Sequence, residues 1–398
     1  MEPDRPSNPW SRKRRATQRH GYKGPRHSFN EMFGNLTEDN IYLDVDTKRA
    51  ALIASPFVVS LVSHTGGKAF FWGSGTIIEC EDVDGAYLCT VLTSASLLRS
   101  PSESNAIADD IKIDVCFSDG KLFEGHVFTY DFHYNFATIK IKSDVAMPTA
   151  SVRRLDDSIS IDRSKESFQL QPHSELFHLC PGEAVVAIGR YYKKPYYIMA
   201  ASGKFSLASF EFDCRELLTV NCKISKCGIG GPLINYHGEV IGVNFYDKLC
   251  TPFLPINLVS KCLEQFKAYG KFCRPRLGVE MINLYSASLG MLEKIIEKVP
   301  NILKGVLVEK VTKGSPAESA GLFFGDVIVQ CDNIIVRSLL ELHDVIFDKV
   351  GKSVELAVMR EGGAHLKLDM MVEETGPDEF NRWPLPEEIK IQRARLVN

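Results

Sequence analysis

The chain contains no apolar run of about 18 residues, the length needed to cross a bilayer as a helix. Its first residues also lack the apolar core of roughly 7–15 residues that marks a secretory signal. Eleven cysteines are present, but none forms a C-x-x-C pair or a Cys/His metal spacing. They are odd in number and scattered from Cys80 to Cys331, which argues against a disulfide framework and for a reducing compartment. These absences predict a soluble intracellular protein of nucleus or cytoplasm, with an organelle left open. They imply no membrane partner, no metal and no cofactor.

What is present is the composition of a globular protein. With 398 residues, 44% hydrophobic and 24% charged, the chain is long enough for two or three domains and apolar enough to give each a core. The net charge of -3 conceals an asymmetry, because residues 1–26 carry eight Lys/Arg against Glu2 and Asp4. A head over residues 1–45, rich in proline and basic residues, is expected to be disordered. Its cluster Arg12-Lys13-Arg14-Arg15 fits a nuclear-import signal or a nucleic-acid patch, although a solvated tail is the weightier reading. No basic stripe continues into the rest of the chain, so nucleic acid is not an expected partner of the folded part.

Beyond the head, short apolar runs alternate with Gly, Asp, Asn and Ser. Strands are predicted over Pro56–Val62, Ala69–Trp72, Ala86–Thr93 and Ile111–Phe117, with Gly73-Ser74-Gly75 as a turn into a further strand at Thr76-Ile77-Ile78. Such spacing indicates an antiparallel barrel or sandwich. Helical periodicity appears at Ile256–Tyr269, closed by Gly270 and Pro275. A second module follows, in which Ser286–Asn301 has a helical pattern that either covers a groove or lengthens a connection. The tail, residues 374–398, has no assigned role.

Three motifs stand in order along the first module. They are Gly73-Ser74-Gly75-Thr76-Ile77-Ile78 leading to Thr93-Ser94-Ala95-Ser96, then Asn135-Phe136-Ala137-Thr138-Ile139, then Cys227-Gly228-Ile229-Gly230-Gly231-Pro232-Leu233. Together they resemble the HtrA/Deg (protease Do-like) serine proteases of the plant type. That resemblance implies a mainly β fold, with a chymotrypsin-like double β-barrel over 46–270 and a PDZ domain (α+β) over 274–373. It also identifies the catalytic positions: Ser96 stands where the family has its histidine base, Asn135 where it has aspartate, and Ile229 where it has the serine nucleophile. A serine hydroxyl cannot hold a proton near neutral pH, an asparagine carries no charge for an imidazolium, and an isoleucine has no attacking atom. No family triad is intact. The backbone N–H groups of Gly228 and Ile229 remain as the expected oxyanion donors. Cys227, with Ser225 behind it, is the alternative nucleophile, for which a base would have to come from His64, His126, His133 or His237.

In the second module, Gly314-Ser315-Pro316-Ala317, Ala320-Gly321-Leu322 and Gly325-Asp326-Val327-Ile328 are similar in order and spacing to a PDZ domain. The resemblance places a peptide carboxylate at the loop Arg276-Leu277-Gly278-Val279, beside a helix near Leu339–Phe347. Leu277 and Val279 would line the pocket, Gly278 would admit the ligand backbone, and Arg276 would assist electrostatically. The resulting expectation is a non-catalytic protease homologue that binds peptides or protein C-termini and assembles as a trimer with itself or with active relatives. The alternatives are an active serine-type endopeptidase with displaced residues and a nucleic-acid-associated protein that uses the basic head.

Overall fold

The structure, a computed structural model, describes residues 43–100, 106–162, 175–207, 214–299, 302–360 and 363–376. The basic cluster of the head and the tail from residue 377 lie outside them. Asp44 and Val45, at the end of the expected head, belong to the first helix, α1 (Val45–Ala54), whose Asp44 cap accepts a bond from Thr47 N. Ala50, Ala51 and Ala54 bury its inner face. The alanines give too weak an apolar period for the sequence to reveal this helix.

The first barrel is built from β1 (Val58–Thr65), β2 (Lys68–Val83), β3 (Ala86–Ser94), β4 (Lys112–Cys116), β5 (Leu122–Asp131) and β6 (Phe136–Ser143), closed in the order β1-β2-β3-β6-β5-β4. A short parallel pair, β7 (Arg154–Asp156) and β8 (Leu176–His178), follows. The second barrel uses β9 (Ala184–Arg190), β10 (Ile198–Ser206), β11 (Leu218–Val220), β12 (Pro232–Ile234), β13 (Val240–Asn244) and β14 (Thr251–Pro255). Its order, β9-β10-β11-β14-β13-β12, repeats that of the first. Closure leaves neither sheet with an open edge.

The turn expected at Gly73-Ser74-Gly75 is not a turn. These residues lie inside β2, which runs unbroken for 16 residues. The reason is crowding: a Cβ on Gly75 would lie 2.6 Å from Leu61 Cδ1 and 2.7 Å from Val91 Cγ1, inside the barrel. Glycine here marks close approach rather than a change of direction.

Helix α2 (Ile256–Tyr269) follows the second barrel over the residues its periodicity indicates, and ends at Gly270 with φ +71°. The second module then forms. A small pair, β15 (Pro275–Arg276) and β22 (Glu373–Glu374), joins its two ends. Its main sheet runs β16 (Val279–Asn283), β17 (Val306–Val311), β18 (Val327–Cys331), β20 (Ser353–Arg360) and β21 (Ala364–Met371), with β19 (Ile334–Ile335) on β18. Period-two alternation divides the side chains between two faces. Met281, Val306, Val308, Ile328 and Val358 join a core with Leu342 and Ile346 of α5 (Leu339–Phe347). On the other face, Leu307 and Val327 meet Ile295 and Val299 of α3 (Leu289–Lys298) and its end. The helical segment within Ser286–Asn301 therefore covers the outer face of the sheet, not the groove beside α5.

Helix α5 also closes the junction with the barrels. Leu340 and Phe347 belong to the barrel core, Gln265 Nε2 donates to Phe347 O (2.9 Å), and Arg154 pairs with Asp344. No described helix is long and apolar enough to cross a membrane.

Candidate active site and peptide groove

The three positions expected to be catalytic are held by local turns. β3 ends at Ser94, whose hydroxyl accepts from Ser96 N (3.2 Å) and so caps the 3-10 turn Ala95–Leu97. Ala95 N donates to Asn135 O (3.0 Å), which ties this turn to the one before β6. Asn135 is only 1% exposed and has φ +56°, a left-handed conformation that asparagine adopts more readily than most residues. Ser96 Oγ lies 3.1 Å from Asn135 Oδ1 and 3.0 Å from Asn135 Nδ2, donating to the first and accepting from the second. The expected positions of base and orienter thus face each other, but what joins them is a neutral hydroxyl–carboxamide pair.

The third position comes from the second barrel. Lys226–Gly228 is a 3-10 turn, followed by Ile229 in extended conformation and then by Gly230 at φ +80°. A Cβ on Gly230 would lie 2.4 Å from Thr93 Oγ1 and 2.6 Å from Ser94 N, which shows how closely this loop abuts the Ser94–Ser96 turn. The Ile229 side chain packs, partly buried, against the core. The two expected oxyanion donors are turned inward: Gly228 N donates to Ser225 O (2.9 Å) and Ile229 N to Lys226 O (3.1 Å). In this conformation neither N–H is aimed where an oxyanion would sit.

Sequence reasoning overlooked the residue that fixes this loop. Ser74, fully buried on β2, donates through N to Ile229 O (2.8 Å) and through Oγ to Cys227 O (2.6 Å). Its Oγ accepts from Arg190 N (2.9 Å), and its carbonyl accepts from Thr93 Oγ1 (2.8 Å). Arg190, 2% exposed, donates to the carbonyls of Ser55, Val58 and Tyr196. Burial lowers its pKa to about 10. The sequence places Ser74 in an expected turn and gives Arg190 no distinguishing signal, so only the assembled barrels reveal their roles.

The alternative nucleophile is enclosed. Cys227 is 1% exposed, with Sγ 2.8 Å from Ser225 Oγ and 3.9 Å from Met199 Sδ. Ser225 is itself fully buried. Of the histidines considered as a base, His64 on β1 pairs with Asp114 (3.6 Å), and His126 is exposed on β5. His133 lies in the turn before β6, where burial lowers its pKa, and His237 lies in the turn between β12 and β13. Among the described residues, no group of three or more His, Cys, Asp and Glu is placed to hold a metal.

In the second module, Leu277 is buried and Val279 partly buried against the core below α5. Arg276 is paired with Glu373 at 2.6 Å, so its charge is engaged within the β15–β22 pair. Gly278 has φ +68°, and a Cβ there would lie 2.2 Å from Ser315 Cβ, at the cap of the short helix α4 (Pro316–Ser319). The glycine is required by this contact before any ligand is considered. Leu277 O and Gly278 O are taken by Ala317 N (3.0 Å) and Thr312 N (2.9 Å). β16 is an end strand of its sheet, with α5 alongside.

Comparisons with known proteins agree with this architecture. Residues 73–243 match the trypsin-like peptidase domain family, and residues 275–372 the PDZ domain family. Protease Do-like 14 of Arabidopsis thaliana is 34% identical over 355 residues, spanning 85% of this chain and 74% of that protein. The chain belongs to the HtrA/Deg (protease Do-like) family. The serine protease Do-like HtrA of Lactococcus lactis is 26% identical over 281 residues, 65% of this chain and 63% of its own length. Among solved structures, the HtrA-type protease AlgW with tripeptide shares the fold, with a TM-score of 0.53 and 20% identity over 83% of this chain and 98% of that one. In this Do-like chain the first barrel supplies Ser96 and Asn135, the second supplies Ile229, and the PDZ domain follows α2.

Proposed function

We propose that this Do-like protein is a non-catalytic member of its family that binds peptides or protein C-termini through its PDZ domain and assembles with itself or with active relatives. The observation that carries the reading is the mutual bonding of Ser96 and Asn135 beside an isoleucine at position 229. Ile229 offers no atom to attack a carbonyl, the Ser96 hydroxyl holds no proton near neutral pH as a base would, and Asn135 carries no charge for an imidazolium. The inward bonds of Gly228 N and Ile229 N support the same reading, because tetrahedral-intermediate stabilisation needs free donors. The position of β16 at the end of the sheet, beside α5, supports peptide capture by strand addition.

The test pairs unfolded casein and a fluorophosphonate probe with a library of C-terminal peptides, using the full chain. No turnover, no labelling and retention of peptides by the PDZ domain is the expected result. Casein cleavage that disappears in Cys227→Ala or Ser225→Ala would overturn the proposal in favour of a displaced active site. Light scattering of the same preparation, expected to give a trimer mass, checks the assembly.

A further inference from the structure

A pair of thiols lies in the first barrel, away from Ser96, Asn135 and Ile229. β2 and β3 form a hairpin with Cys80 directly opposite Cys89, and no other described strand pairing sets two cysteines face to face. The register shows which kind of pair this is. The two strands are joined by Asp84 and Gly85, both at positive φ (+53° and +82°), as a two-residue type I′ turn requires. Val83 and Ala86, which flank the turn, therefore form a hydrogen-bonded pair, and alternation runs back through Asp82–Tyr87 and Glu81–Leu88. Cys80–Cys89 falls on a non-hydrogen-bonded pair, where the Cα atoms lie about 4.5 Å apart and the side chains are closest. That separation is within the roughly 4.4–6.8 Å that a disulfide spans. Both side chains point to the same face, since residues directly opposite each other do so.

The two sulfurs differ in surroundings. Cys80 is half-buried and accepts a hydrogen bond from Met147 N (3.4 Å). Cys89 is fully buried, and burial, followed by its contact with Cys80, pushes its thiol up to about 12. Cys80 is the sulfur that an oxidant can reach, and Cys89 is the one held against it.

We infer that Cys80 and Cys89 form a reversible, peroxide-dependent disulfide that staples the β2–β3 hairpin. The Cys80 thiolate attacks one oxygen of hydrogen peroxide and breaks the O–O bond, giving a sulfenic acid and hydroxide, which takes up a proton as water. The Cys89 sulfur then attacks the Cys80 sulfur. The S–O bond breaks, the S–S bond forms, and the departing hydroxide leaves as water with the Cys89 proton. Two thiols lose two electrons and two protons, and one peroxide is reduced to two waters. A thiol reductant reverses the change.

The experiment uses the full-length protein, treated with hydrogen peroxide, alkylated under denaturing conditions and digested with a Glu-specific protease. Cleavage after Glu81 separates the two cysteines, so the expected product is a pair of peptides joined only through Cys80 and Cys89 and released by dithiothreitol. In Cys89→Ser, trapping with dimedone should yield roughly tenfold more Cys80 adduct than in the wild type, because the resolving thiol is gone. Alkylated Cys89 in the oxidised wild type, Cys80 joined to a different cysteine, or equal dimedone adduct in wild type and Cys89→Ser would each overturn the inference. Circular dichroism of the untreated Cys89→Ser protein confirms that the comparison is made on a folded barrel.

Discussion

Ser96 and Asn135, the positions expected to hold base and orienter, hydrogen-bond each other in both directions at 3.1 and 3.0 Å. What holds the two side chains together is neutral hydrogen bonding rather than charge. Asn135→Asp alone would bury a carboxylate beside a neutral hydroxyl, and should lower stability by about 1–3 kcal/mol at pH 7. The loss should shrink in acid, since burial raises the pKa of the new carboxyl and protonation restores a neutral site. Adding Ser96→His supplies an imidazolium partner, and a double-mutant cycle by urea denaturation should give a favourable coupling of about 1–2 kcal/mol. A coupling near zero would mean that the two positions no longer meet as in a triad.

Two fully buried serines give opposite expectations. Ser74 Oγ bridges Cys227 O and Arg190 N, whereas Ser63 Oγ has no partner among the described residues. Ser74→Ala leaves a buried carbonyl and a buried N–H unsatisfied and should cost about 2–4 kcal/mol. Ser63→Ala removes an unpaired hydroxyl and should be neutral or stabilising. Chemical denaturation of the two variants side by side decides the matter, and an equal loss in both would show that the bonds of Ser74 do not hold the Ile229 loop.

Gly278→Ala tests what the loop before β16 is for. At φ +68°, alanine meets a left-handed penalty of about 1–2 kcal/mol. Its Cβ would also lie 2.2 Å from Ser315 Cβ. The PDZ domain should lose thermal stability, and Ser315→Gly in the same molecule should recover part of it. A variant of unchanged melting temperature that has lost only peptide binding would assign Gly278 to the ligand instead.

The helix Ile256–Tyr269 was legible because its periodicity and its end at Gly270 are local, and it emerges with those bounds. The helix Leu339–Phe347 was expected from the PDZ resemblance and is found there. Ser96, Asn135 and Ile229 were singled out because the resemblance rests on ordered letters around them. Gly73 and Gly75 misled because a glycine that avoids Leu61 and Val91 looks, in sequence, like one that makes a turn. The partners of the Ser74 hydroxyl, Arg190 and Cys227, lie on the second barrel, 116 and 153 residues away, beyond any local pattern. The place of α3 needed the sheet itself, since its apolar stripe at Ile295 and Val299 fits any apolar face.

Asp157 links pH to the junction between the barrels and the PDZ domain. It is 1% exposed, Asn283 Nδ2 donates to its Oδ2 (2.7 Å), and its Oδ1 has no partner among the described residues. Burial, only partly offset by Ser338 and Asn283, pushes its pKa up to about 6. In an unfolded chain an aspartate titrates near about 3.9. Between these values the folded protein binds the extra proton, so the contribution of Asp157 to stability falls as pH rises from about 4 to about 6 and stays low above that. Asp157→Asn removes the buried charge while keeping an oxygen to accept from Asn283. At pH 7.5 it should therefore raise stability, by at most about 3 kcal/mol for a shift of two units. Below pH 4 the gain should vanish. Plotting the difference in unfolding midpoint between variant and wild type against pH isolates this group from the other titrating residues. A difference that stays constant from pH 4 to 7.5 would show that Asp157 does not titrate in this window and that the junction is not pH-sensitive through it.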